Sequence, residues 1–136
     1  MSGSENLSNA RVIIIQKLYS HHINRETKII FPKHRYKKFI KDVVNGTIER
    51  DDLIKEILNK DLKNEINDNK TELIIKIMVK AAIYEFTFMH KIPIKVIISE
   101  YLKASDLFVQ SSQKSFLNAI LDKLSKSCRV SGELHD

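Results

Sequence analysis

Five histidines and one cysteine are the side chains of this sequence best suited to hold a metal or to attack an electrophile, and their spacing argues against both uses. His21 and His22 are adjacent, so on a helix they point about 100° apart, while His34, His90 and His135 fall in other segments. No His-x-x-x-His pair brings two imidazoles to one helix face. Surface or boundary positions are the expectation for all five, with no metal site. Cys128 stands near the end of an amphipathic stretch, where a small core residue is a simpler role than a nucleophile. A lone cysteine also excludes an internal disulfide and a multi-Cys metal site. With three glycines the chain has no G-x-x-x-x-G-K-S/T, no G-x-G-x-x-G and no G-x-S-x-G, so phosphate-cradling loops and a nucleophile elbow are missing. Carboxylates are scattered among lysines and form no acid/base dyad. A non-enzymatic protein without a cofactor is expected.

The cations are more suggestive. Lys33-His34-Arg35-Tyr36-Lys37-Lys38 with Lys41 is the densest basic segment; it could bind phosphates by counterion release and stack a base on Tyr36. The same spacing also describes an ordinary solvated helix face, since Lys37 and Lys41 share one edge at i, i+4. The 23 Lys and Arg against 17 Asp and Glu give a formal charge of +6 and a pI near 9.4, which suits a phosphate-bearing partner without establishing one.

These residues need a scaffold, and periodicity supplies helices. The 136 residues suit one domain, and scarce Gly and Pro disfavour a turn-rich β fold. Residues 1–6 are expected to be disordered. Ser8 or Asn9 caps a first helix over about 7–22 with Val12, Ile15, Leu18, Tyr19 and Ile23 on its stripe. A second starts at Pro32 and is stopped by Asn45-Gly46. A third begins at Asp51 and Asp52, whose expected role is to complement the helix dipole. Residues 64–70 read as a loop. From Leu73 to Phe88 apolar side chains fall on nearly every face, as in a central helix sheathed by the others, with Lys76, Lys80 and Glu85 needing water or partners. Pro93 starts a helix ending near Phe108, and Ser111 or Ser112 caps the last, whose stripe runs from Phe116 to Cys128. The expected domain is 7–128, followed by a frayed tail over 129–136. No run approaches the roughly 20 apolar residues of a membrane span, and the N-terminus lacks signal-peptide features, so a cytoplasmic protein is expected.

Three blocks then sharpen the reading. Ala10-Arg11 followed by Gln16-x-Leu18-Tyr19 resembles the opening helix of the NusB family. Val79-Lys80-Ala81-Ala82-Ile83-Tyr84-Glu85-Phe86 and Ile92-Pro93-Ile94-Lys95-Val96-Ile97-Ile98-Ser99-Glu100 resemble that family's central motifs. Ser115-Phe116-Leu117-Asn118-Ala119-Ile120-Leu121-Asp122-Lys123 is similar to its closing helix, and residues 39–46 add a weaker match. The resemblance implies an all-α fold of about seven helices in two perpendicular subbundles. It further implies binding of boxA RNA from ribosomal RNA operon transcripts jointly with NusE, a small-subunit ribosomal protein, within the RNA polymerase antitermination complex. Arg11, Lys17, Lys95 and Lys123 would then meet RNA, and Tyr19, Glu85 and Asp122 would serve the partner side. Local roles remain open beside these: Tyr19 as a wet cap on the core, and Asp122 as the i, i+4 partner of Lys126.

The departures from the family pattern concern RNA. An Arg-rich arm before Arg11 is replaced by Ser-Glu-Asn-Leu-Ser-Asn, Lys80 stands for Arg, Ser99 for Asn and Ala119 for Gly. Two alternatives follow: a NusB-like helical adaptor with weak or lost RNA binding, and a detached relative of the RNA-binding domain of ribosomal RNA methyltransferases. Monomer and homodimer are both compatible with the sequence.

Overall fold

Asn9 accepts a hydrogen bond from the Arg11 backbone N–H at 2.8 Å and so caps the first helix of the chain. The computed structural model describes residues 9–66 and 71–135, and within them six α-helices and no strand. They are α1 (Ala10–Ile23), α2 (Lys37–Glu49), α3 (Asp51–Asp61), α4 (Leu73–Phe88), α5 (Ile94–Ser105) and α6 (Ser111–His135). The expected disorder of residues 1–6 and part of the 64–70 loop lie outside the described residues.

Helix α4 packs against each of the other five. That arrangement follows from its composition: a helix apolar all round has no face to give to water. Ile75, Ile77, Met78, Val79, Ala81, Ala82, Ile83 and Phe86 are all buried on it. Around it lie Val12, Ile14 and Ile15 of α1, Ile40, Val43 and Val44 of α2, Ile54 of α3, Ile97 and Tyr101 of α5, and Leu117, Leu121 and Leu124 of α6. Each such aliphatic side chain stabilises the bundle by roughly 1.5–3 kcal/mol relative to exposure.

Three boundaries differ from the sequence reading, each for a physical reason. Pro32 does not open α2. The chain stays irregular to Tyr36, whose N–H bonds His34 Nδ1 at 2.9 Å, and the helix starts at Lys37. Asn45-Gly46 does not stop α2, which runs on to Glu49. Gly46 is instead a packing glycine: a Cβ there would collide with the hydroxyl-bearing edge of the Tyr84 ring of α4. Finally, α6 continues to His135, through the stretch read as a frayed tail, and Arg129 within that stretch is buried. Its cap is Gln110 and not Ser111 or Ser112: the Gln113 side chain accepts from the Gln110 N–H at 3.0 Å, the reciprocal half of a capping box. No helix among the described residues is long and apolar enough to cross a membrane.

Candidate nucleic-acid interface

Seven residues carry the expected functional surface, and the helices distribute them between the interior and the exterior. The Asn9 cap fixes the first turn of α1 and turns Arg11 inward, toward α4. There the guanidinium meets Glu85 side by side, with Nη2 to Oε1 at 2.5 Å and Nε to Oε2 at 3.2 Å. The Glu85 side chain is fully buried, and Tyr101 of α5 donates its hydroxyl to Oε2 at 2.5 Å. Phe39 of α2 lies 4.7 Å below the Arg11 guanidinium carbon, and the Tyr101 ring lies at 5.8 Å. One buried cluster thus joins α1, α2, α4 and α5.

Burial alone would lower the Arg11 pKa, but the Glu85 carboxylate more than offsets this and holds it above its ordinary value. Burial, and next the negative charge of Glu85, push the Tyr101 phenol well above its ordinary 10.0. The cluster is therefore a locked arrangement of guanidinium, carboxylate and neutral phenol. Arg11 and Glu85 satisfy each other inside the bundle, a structural role that stands beside the expectation that the first meets RNA phosphates and the second a protein partner. Burying a charge is tolerable only with such a partner.

The remaining five residues face outward to differing degrees. Lys17 is half-buried on α1, and Tyr19 two residues on is 42% exposed. Lys95 is exposed on the first turn of α5. On α6 Lys123 is exposed and pairs with Glu65 at 3.1 Å, while Asp122 pairs with Lys126 at 3.2 Å in the i, i+4 manner. Both pairs are open to water and hold their charges loosely. The basic segment is more exposed than any of these as a group: Lys33, Arg35, Tyr36, Lys37, Lys38 and Lys41 all face solvent. Arg35 stacks at 5.6 Å over the Tyr36 ring, and Lys38 makes only a 3.5 Å contact with Asp42.

Arg129 was missed because it lies beyond the last recognisable stripe of the sequence. Its guanidinium spans the end of α4 and the turn to α5, donating from Nε to the Phe86 carbonyl at 2.8 Å and from Nη1 to Ile92 at 2.7 Å. Nη2 reaches the carbonyls of Met89 at 2.9 Å and Glu85 at 3.2 Å. A cation at this end of α4 binds the carbonyls of Phe86 and Ile92, adds a second bond to those of Glu85 and Met89, which already accept from the N–H groups of Met89 and Ile92, and complements the helix dipole. Cys128 beside it is partly buried, and burial pushes its thiol pKa up, away from nucleophilic thiolate.

With this geometry in place, comparison with known proteins is decisive on kinship. The NusB family profile matches residues 8–126. The chain belongs to the NusB family. Transcription antitermination protein NusB of Bradyrhizobium sp. (strain BTAi1) is 28% identical over 92 residues, covering 68% of this chain and 54% of that protein. The NusB of Rickettsia bellii (strain OSU 85-389) is 33% identical over 84 residues, covering 62% of this chain and 54% of that protein. The matched stretch thus spans about half the length of these relatives. Among solved structures T. maritima NusB superposes with a TM-score of 0.74 at 21% identity, over 86% of this chain and 88% of that one. At that identity the likeness speaks for the fold: this chain has the all-α NusB fold, with six helices described where about seven were expected.

Proposed function

We propose that this protein is a transcription antitermination factor that binds boxA-type RNA of ribosomal RNA operon transcripts together with NusE, in the cytoplasm, as part of the RNA polymerase antitermination complex. The observation that carries the reading is the family match across residues 8–126, whose relatives are named transcription antitermination proteins. The chain's own surface supports it. With Arg11 committed to Glu85, phosphate contacts fall to Lys17, Lys95 and Lys123 and to the exposed run from Lys33 to Lys41. That run replaces the Arg-rich arm: five cations and a 53% exposed Tyr36 can attract a single strand and stack a base. Tyr19 and Asp122 are assigned to the NusE side, where Tyr19 offers apolar area with a polar tip.

A titration of a boxA-containing RNA and a scrambled control, with and without the cognate NusE at two salt concentrations, tests this. The expected result is tight, sequence-selective, salt-sensitive binding that requires NusE. A second reading, a NusB-like adaptor without RNA binding, is favoured by one observation: the arginine of the opening motif is consumed inside the bundle. Capture of NusE with no RNA affinity would replace the first reading by that one.

A further inference from the structure

A groove of about 440 Å³, open to solvent, lies where the end of α1, the connection over residues 24–36 and the second half of α2 meet. Its volume falls within the roughly 300–1,000 Å³ range of small-molecule sites. Lys41, Asn45 and Ile48 give it one face of α2, at the i, i+4, i+7 spacing of a helical stripe. The connection gives it Lys28, Ile29 and Phe31, and Arg25 stands just past the end of α1. Ile29, Phe31 and Ile48 are half-buried: they pack against the core and leave part of their apolar surface to the groove.

Three cations line the groove against one carboxylate, Glu49. Arg25, Lys28 and Lys41 are all exposed, and none of them forms an ion pair among the described residues; Lys41 only approaches the Phe31 ring, at 5.9 Å from its centre. Asn45 is exposed as well, and its side-chain amide, with two donors and an acceptor, bonds to none of the described residues. The main chain of the connection is also unpaired. From Lys28 to Lys33 no N–H or carbonyl has a main-chain partner among the described residues. Such a stretch is held by its side chains, Ile29 and Phe31 on the core, and keeps its polar groups for water or a ligand.

These features match the parts of a single-stranded nucleotide: uncompensated cations for its phosphate, an aromatic ring for the face of its base and an amide for the base edge. The groove is also continuous with the exposed run from Lys33 to Lys41, and Lys41 belongs to both. We propose that the groove holds one nucleotide of single-stranded RNA, with its base against Phe31, its base edge read by Asn45 and its phosphate held by Arg25, Lys28 and Lys41. This rests on the RNA-binding reading given above and deepens it. The lysine run draws in the strand whatever its sequence, because phosphates are the same at every position; the groove makes binding depend on which base arrives. Single-stranded RNA is favoured over an acidic protein because a base offers Phe31 a face and Asn45 an edge at once.

The test uses the full chain with NusE and boxA-containing RNAs that carry a single photoactivatable 4-thiouridine at each uridine in turn. Crosslinks mapped by mass spectrometry should fall within residues 25–31 or 41–45 from one position of the RNA and not from its neighbours. Phe31→Leu keeps an apolar side chain against the core and removes the ring, and should weaken RNA binding roughly fivefold or more. Asn45→Ala places a strong helix former at an exposed helical position, so the melting temperature should hold. It should flatten the differences in affinity among RNAs carrying each of the four bases at the crosslinked position, a readout that loss of fold would not give. RNA binding by the native chain without crosslinks in the groove, and with affinity and base preference unchanged in both variants, overturns this proposal and leaves the antitermination reading intact. NusE capture that both variants weaken, with no RNA bound, gives the groove to a protein and likewise overturns it. Absence of any RNA binding with NusE present removes the RNA reading itself, and this inference with it.

Discussion

Arg11 and Arg129 lie inside the bundle hydrogen-bonded to buried partners, whereas Lys33, Arg35, Lys37, Lys38 and Lys41 stand in water within a nine-residue stretch. The side chains are chemically alike; the surroundings make them do opposite work. The two inner arginines join helices that are far apart in sequence: Arg11 finds Glu85 across 74 positions, and Arg129 finds Phe86 across 43. Among the described residues the contacts of the outer cations are local and weak, Lys38 with Asp42, Arg35 over Tyr36 and Lys41 near Phe31, which leaves their charge available to a polyanion. A formal charge of +6 therefore mixes two populations, and only one of them can govern binding.

The largest effect separating the two should come from Glu85→Gln. It leaves the Arg11 guanidinium buried beside a neutral amide, and removal of one partner from a buried pair costs about 3–5 kcal/mol. The comparison is sharpened by the triple variant Arg11→Met, Glu85→Leu, Tyr101→Phe, which removes the charges and the phenol together and should recover most of that loss. Urea unfolding of both measures it. If Glu85→Gln were as stable as the native chain, the cluster would not be the lock described. Tyr101 adds a pH signature. Its folded pKa is raised, so its contribution is complete below the unfolded value of about 10 and is lost as pH rises past that point. Stability should accordingly fall less steeply above pH 10 in Tyr101→Phe than in the native chain.

Arg129→Met should follow, at about 2–4 kcal/mol, because charge-assisted bonds to carbonyls at the end of α4 are lost while the stem is retained. Gly46→Ala comes next, at about 1–3 kcal/mol, since its Cβ would strike the Tyr84 ring. Tyr84→Leu in the same chain should relieve part of that cost, and a double-mutant cycle by thermal unfolding reads the coupling.

These positions also mark where the sequence stopped being informative. The Asn9 cap and the apolar stripes of α1, α4, α5 and α6 are local patterns, so their placement could be read from residues a few positions apart. The central place of α4 followed from its having no polar face. Gly46 read as a stop because glycine is a breaker in isolation; its reason for being in a helix is a ring on another helix. Arg11 carried the family motif correctly, yet its inward orientation depends on Glu85, Phe39 and Tyr101, from three different helices. Arg129 followed no apolar period, and its partners lie on the end of α4 and the turn to α5. Lys95, Lys123 and Asp122 lie on helix surfaces as expected of exposed positions in amphipathic helices.

The smallest effect on stability, and the one that most directly tests the outer population, belongs to Lys37→Gln with Lys38→Gln and Lys41→Gln. Lys37 and Lys41 have no ion pair among the described residues; Lys38 gives up only its weak contact with Asp42, and Lys41 a 5.9 Å approach to the Phe31 ring. Surface changes of this kind shift stability by no more than about 0.5 kcal/mol. Their effect on RNA should be of another order. If the segment stands in for the Arg-rich arm, affinity for a boxA-containing RNA with NusE should drop at least tenfold at low salt. The slope of log affinity against log salt should shrink by roughly 0.7 for each phosphate contact removed, the single-strand value. Affinity that falls while the salt slope stays constant would mean the lysines act through local structure instead of through phosphates. An unchanged affinity would return the segment to the role of a solvated helix face and shift the RNA contacts to Lys17, Lys95 and Lys123. The distinction rests on the slope, because only counterion release ties the number of exposed cations to the salt dependence of binding.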